Sequence, residues 1–166
     1  MIRVSIVEDD RPIRSALKEM INECDGLSCI GNYGDCEGAL KDLLKNKPDV
    51  MLMDIELPGI SGIEGVKIIK QKFPKVDVIM LTVHEDLSLV FKALSAGASG
   101  YLDKSASEEK IIESIKEIYE EAQRIDSIFM VFHLAERLQK VLNITPNMPP
   151  RLFVEAVIAD YYSIHA

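Results

Sequence analysis

Residues 49–59 read DVMLMDIELPG. The four apolar residues Val50, Met51, Leu52 and Met53 send apolar side chains to both faces of a strand, as a central strand covered by helices on each side requires. Asp54 ends the run, and Pro58-Gly59 then turns the chain. A second run, VIMLTV at 78–83, is apolar on both faces in the same way. Outward from these two, residues 1–122 alternate short apolar runs with longer stretches of helical period, which is the pattern of successive βα units around a parallel sheet. Five strands are expected, at 2–7, 27–33, 49–54, 77–83 and 99–103. Helices are expected to start near Asp10/Pro12, Asp35, Ser61, Glu85 and Ser105, where a capping side chain or an early proline suits a first turn. Gly97 closes the fourth helix and Pro74 follows the third. The expected fold class is α/β, a doubly wound five-stranded parallel sheet with a helical C-terminal tail.

Such sheets bind ligands beyond the carboxyl ends of their strands. Strand one ends in Glu8-Asp9-Asp10, strand three in Asp54, strand four contains Thr82, and strand five leads into Lys104. All of these groups fall on one edge of the sheet. Carboxylates brought that close repel one another, and the repulsion is relieved by raised pKa values or by a hard divalent cation held through oxygen ligands. Magnesium is the natural candidate. Glu8-Asp9-Asp10 alone reads equally well as a helix cap; the coincidence with Asp54, Thr82 and Lys104 at successive strand ends argues for a site. As a charge at a strand end, Lys104 is expected to be replaceable at little cost in stability.

Composition narrows the function. The chain has 166 residues, 48% apolar and 28% charged, with a net charge of −8. That sign is wrong for a protein that neutralises phosphates over a broad face. Residues 1–122 hold 15 Lys/Arg against 23 Asp/Glu and so carry the whole imbalance, whereas 123–166 hold four of each. A domain boundary is therefore expected near 122. No apolar run reaches the roughly 18 residues of a membrane helix, and MIRVSIVEDD lacks a secretory profile, so a cytoplasmic protein is expected. Cys24, Cys29 and Cys36 form no CxxC pair and read as reduced small side chains.

VEDD (7–10), MDIELPGISGIE (53–64), LTVHED (81–86) and GASGYLDKSAS (97–107) together resemble the receiver domain of two-component response regulators over about residues 1–122. The last two segments look most like the subfamily coupled to a LuxR/NarL-type helix-turn-helix. The resemblance implies a flavodoxin-like sheet of order 2-1-3-4-5. It also implies Asp54 as phosphoacceptor, Asp9 as a direct magnesium ligand, Glu8 as an acid holding the ion through water, and the Glu56 carbonyl as a further ligand. Asp10, one acid more than the family pair requires, is given a capping role. Lys104 and the Thr82 hydroxyl would contact phosphoryl oxygens, and Lys104 would pair with Asp54 before phosphorylation. Glu56 and His84 would stand beside the phosphoryl group and modulate its hydrolysis. Tyr101 would turn inward when Thr82 moves, so fourth helix, fifth strand and fifth helix form the output face. The phosphodonor would be a sensor histidine kinase or a phosphotransfer protein. The chemistry agrees: a carboxylate attacking a polyanion needs a metal and a cation to compensate its charge.

Residues 123–166 are expected to form a helical tail. No glycine or proline occurs between Tyr101 and Thr145, and Ile115, Ile118, Ala122, Ile125, Phe129 and Phe132 recur at gaps of three and four. Two readings stand level: one long helix that pairs with a second copy, or a break near Asp126-Ser127. Relatives with a DNA-binding domain continue into a basic helix-turn-helix. Here Ile144-Thr145-Pro146-Asn147-Met148-Pro149-Pro150 is only a faint echo, and 151–164 accommodates one short amphipathic helix. DNA binding by this chain is thus disfavoured, and the tail reads as a dimerisation segment or a truncated or divergent output region. Two alternatives are a transcription regulator with a degenerate DNA-binding tail and a magnesium-dependent phosphohydrolase of the haloacid dehalogenase type. Against the latter, the acidic cluster precedes Asp54, and Asp54-Ile55-Glu56 only approximates the DxD that such enzymes carry after their first strand.

Overall fold

A computed structural model describes residues 1–83 and 87–141, with side chains as far as Asp126, Leu87 excepted. The chain divides into two units, Met1–Glu120 and Glu121–Ala166. In the first unit the strands are β1 (Ile2–Val7), β2 (Leu27–Tyr33), β3 (Val50–Met53), β4 (Asp77–Thr82) and β5 (Gly100–Asp103). The helices are α1 (Arg11–Glu23), α2 (Cys36–Asp42), α3 (Gly62–Lys72), α4 (Leu87–Ser95) and α5 (Glu108–Val141), the last of which continues into the second unit. All strand pairs are parallel, in the order β2-β1-β3-β4-β5.

The two-faced strands divide the core as their period of two dictates. Val50 and Leu52 of β3, with Ile79 and Leu81 of β4, pack in a layer with Leu17 and Ile21 of α1 and Ile111 and Ile115 of α5. Met51, Met53, Val78 and Met80 point the other way, toward Ala39, Val66, Ile69 and Ala93 from α2, α3 and α4. Order reverses beside β1, whose neighbours β2 and β3 continue in opposite directions, and the crevice at that reversal opens at the carboxyl edge.

Three helices begin at the expected caps. Asp10, Asp35 and Ser61 accept from the N–H groups of Ile13 (3.0 Å), Gly38 (2.7 Å) and Glu64 (3.3 Å). The fifth begins later than expected. Ser107, not Ser105, sits at its start and accepts the Lys110 N–H at 3.3 Å, while the Ser105 N–H donates to the Asp103 carboxylate at 2.6 Å. Residues 84–86 lie outside the described residues, and with them the expected start of α4 at Glu85. The helix α5 runs through Asp126 and Ser127 without interruption, so the reading with a break there is not the one observed. Ile125 is 60% exposed on it. The segments 144–150 and 151–164 fall outside the described residues. Among the described residues no helix is long and apolar enough to cross a membrane, and all three cysteines are free thiols.

Candidate functional site

Glu8 is the first residue past β1 and only 1% exposed. Its N–H donates to the Tyr33 carbonyl at 3.0 Å, which ties the β1 end to the β2 end, and its Oε1 accepts the Asp10 N–H at 3.2 Å. Asp54, the first residue past β3, donates its N–H to the Val7 carbonyl at 3.0 Å and is itself buried. Asp9 is exposed beside them. Carboxylate oxygens of Glu8, Asp9 and Asp54 lie within 4.8 Å of one another.

Lys104, the first residue past β5, bridges two of these acids. Its Nζ lies 2.6 Å from Glu8 Oε2 and 2.8 Å from Asp54 Oδ2. Its N–H donates to the Thr82 carbonyl at 2.9 Å, so the strand carrying the threonine also anchors the lysine. The lysine is not the surface charge expected from its position in the sequence: its side chain is 11% exposed and surrounded by carboxylates. Burial pushes its pKa down, but the hydrogen bonds that it donates to Asp54 and Glu8 outweigh burial and leave it raised. Burial is also the main reason the Glu8 carboxyl is raised; Asp54 adds to the effect, and Lys104 opposes it without cancelling it.

Thr82 closes β4, the strand between those that lead to Asp54 and Lys104. Its side chain is fully buried and its Oγ1 has no hydrogen-bond partner. Such an atom is costly unless something completes it. Three carboxylates against one ammonium, with one carboxylate open to solvent, form an all-oxygen donor set of net negative charge that suits a hard divalent cation such as magnesium.

Asp10 caps α1, as assigned. Glu56 is exposed two residues beyond Asp54. Tyr101 is half-buried on β5 opposite Met80 of β4 and packs against the core layer of α2, α3 and α4. His84 lies outside the described residues. Arg14 was not foreseen: from α1 its guanidinium donates to the carbonyls of Glu8 and, at 3.0 Å, Asp9, and so fixes the backbone of the acidic loop. Glu37 was also not foreseen; its Oε1 accepts the Ile60 N–H at 3.2 Å. Gly62 is obligatory, since a Cβ there would lie 1.9 Å from the Asp54 carbonyl oxygen.

Sheet order and site together define a class. The family model described as "Response regulator receiver domain" matches residues 4–116, and the chain belongs to that family of signalling proteins. Receiver domains generally bind magnesium and are phosphorylated by histidine kinases. The response regulator UvrY of Escherichia coli is 35% identical over 119 residues, covering 72% of this chain and 55% of the relative. GacA of Pseudomonas aeruginosa is 34% identical over 119 residues, covering 72% and 56%. The chain therefore spans about half the length of the curated relatives it matches. Among solved structures, a CheY-like receiver domain protein from Methanospirillum hungatei superposes with a TM-score of 0.70 at 26% identity, over 75% of this chain and 98% of its own. A two-component response regulator of the LuxR family from an Aurantimonas species gives 0.69 at 28%, over 72% and 85%. Residues 108–166 match a second model, described as a domain of unknown function, DUF8484.

Proposed function

We propose that this chain is a cytoplasmic response regulator that accepts a phosphoryl group on Asp54 from a sensor histidine kinase or a phosphotransfer protein. An Asp54 oxygen attacks phosphorus, the new O–P bond forms as the P–N bond to the donor imidazole breaks, and the electron pair leaves with that nitrogen. Lys104, already on Asp54, shifts its charge to the incoming phosphoryl oxygens. The Thr82 hydroxyl donates to another of them and so gains the partner it lacks. Asp9, Glu8, Asp54 and the Glu56 carbonyl would hold magnesium, which when bound compensates the charge of a carboxylate approaching a polyanion. Glu56 and His84 are assigned as modulators of hydrolysis. Thr82 and Tyr101 are assigned to the switch that carries phosphorylation to α4, β5 and α5.

The single observation that carries this reading is the buried, unpartnered Thr82 hydroxyl on the strand between the two that lead to the ion-paired Asp54 and Lys104. The reading assigns 1–122 to the receiver and 123–166 to a tail that pairs two copies. That pairing is supported by the exposure of Ile125 on an uninterrupted helix. It assigns the chain no catalytic turnover of its own beyond phosphotransfer and dephosphorylation. Treatment with a small acyl phosphate plus magnesium should add the mass of one phosphate to the intact chain, and Asp54→Ala should abolish the gain. Labelling that persists in that variant, or that ignores chelator, would overturn the assignment.

A further inference from the structure

The turn that follows Asp54 is gripped from outside the acidic cluster. Glu37, in the first turn of α2, reaches across 23 residues of sequence to accept the Ile60 N–H at 3.2 Å. Its neighbour Cys36 is fully buried, with Sγ 3.9 Å from the Ser61 carbonyl. Burial chiefly, with the carboxylates of Glu37, Asp35 and Glu64, pushes that thiol up to about 12, so it keeps its proton and serves as the donor. Two successive residues of α2 thus hold two successive residues of the loop.

Little slack separates this grip from the phosphoacceptor. Gly59 adopts φ +75°, and a Cβ there would fall 2.3 Å from Glu37 Oε1. Ser61 caps α3, and Gly62 donates its N–H to the Ile55 carbonyl at 2.8 Å while packing directly on the Asp54 carbonyl. A shift at Ile60 is therefore passed through Ser61 and Gly62 to the backbone of Asp54 and Ile55, and to the Glu56 carbonyl that follows.

We infer that Glu37 is a positioning residue for the phosphoacceptor site: by accepting the Ile60 N–H it holds residues 54–62 in the conformation that presents the Asp54 carboxylate and the Glu56 carbonyl to a divalent cation. The inference rests on the reading of Asp54 and its neighbours as a magnesium-dependent phosphoacceptor site. What matters is the acceptor oxygen at position 37 and not its charge, so the amide of glutamine should serve nearly as well as the carboxylate.

The test titrates the unphosphorylated chain with magnesium chloride alone, followed by calorimetry, for the parent protein, Glu37→Gln, Glu37→Ala and Asp54→Ala. Glu37→Ala should bind magnesium about three- to tenfold more weakly, the effect of one lost hydrogen bond, at a melting temperature close to the parent's. Glu37→Gln should stay within about twofold of the parent, because its amide oxygen accepts the same N–H. Equal affinity of parent and Glu37→Ala would overturn the assignment of Glu37 while leaving the site intact. Equal losses in Glu37→Gln and Glu37→Ala would overturn it in favour of a charge acting at a distance. A parent chain that bound no magnesium, or whose binding survived Asp54→Ala, would overturn the underlying reading and the inference with it.

Discussion

At Thr82 function and stability pull in opposite directions. Its buried hydroxyl, without a partner in the unphosphorylated chain, costs on the order of 1–3 kcal/mol, whereas a methyl group of the same shape costs nothing of that kind. Thr82→Val is therefore expected to raise stability by about 1 kcal/mol in urea unfolding, and to weaken the response to phosphorylation. A destabilised Thr82→Val would mean that the hydroxyl already has its partner. The reverse holds at Lys104, which separates two buried carboxylates. Lys104→Ala should lose about 3–5 kcal/mol without magnesium, and millimolar magnesium should restore part of that loss by replacing the missing charge. A loss unchanged by magnesium would speak against a cation beside Glu8 and Asp54. The identities of these residues were legible in the sequence because each falls at a strand end. Their burial was not: Lys104 read as a replaceable edge charge, and nothing local announces that it is enclosed. Arg14 and Glu37 escaped for a related reason, since their partners lie in other elements and are backbone atoms, which a residue pattern does not reveal.

Among the elements, the junction of β3 and α3 tolerates least. Gly62→Ala would drive a Cβ into the Asp54 carbonyl, and because the Cβ position is fixed by the backbone and the atom it meets is backbone, no side chain can rotate away. A destabilisation of about 1–3 kcal/mol is expected, together with slower labelling of Asp54 by a small acyl phosphate. Labelling at the parental rate would show that the junction does not set the geometry of the nucleophile. The elements themselves were readable wherever two local signals agreed. β3 and β4 are apolar on both faces, and Asp10, Asp35 and Ser61 precede helical periodicity with a free capping oxygen. The helix α5 starts beyond Ser105, at Glu108, because Ser105 and Ser107 are equally able to cap and no local signal separates them; it is Ser107 whose hydroxyl accepts the Lys110 N–H. Asp126-Ser127 offered a similar stop signal, yet the helix passes through it, there being no glycine or proline to end it.

For the whole molecule, the −8 net charge lies in residues 1–122 and the tail is neutral, so self-repulsion between two tails is small. Ile118 of the expected stripe packs against the receiver core; pairing through the remaining Ala122, Ile125, Phe129 and Phe132 is expected to give twice the chain mass in sedimentation at tens of micromolar, and Phe129→Glu with Phe132→Glu is expected to return the monomer. A monomer mass for both proteins would contradict pairing through this stripe. The central claim, however, is covalent, and it is tested most directly by reducing the phosphorylated protein with borohydride and mapping the reduced residue by peptide mass spectrometry. An aspartyl phosphate is an acyl phosphate, which borohydride reduces to an alcohol while free carboxylates are spared. The account predicts a single reduced side chain at position 54, formed only when magnesium is present; reduction at Glu8, Asp9 or Glu56 instead, with Asp54 untouched, would contradict it.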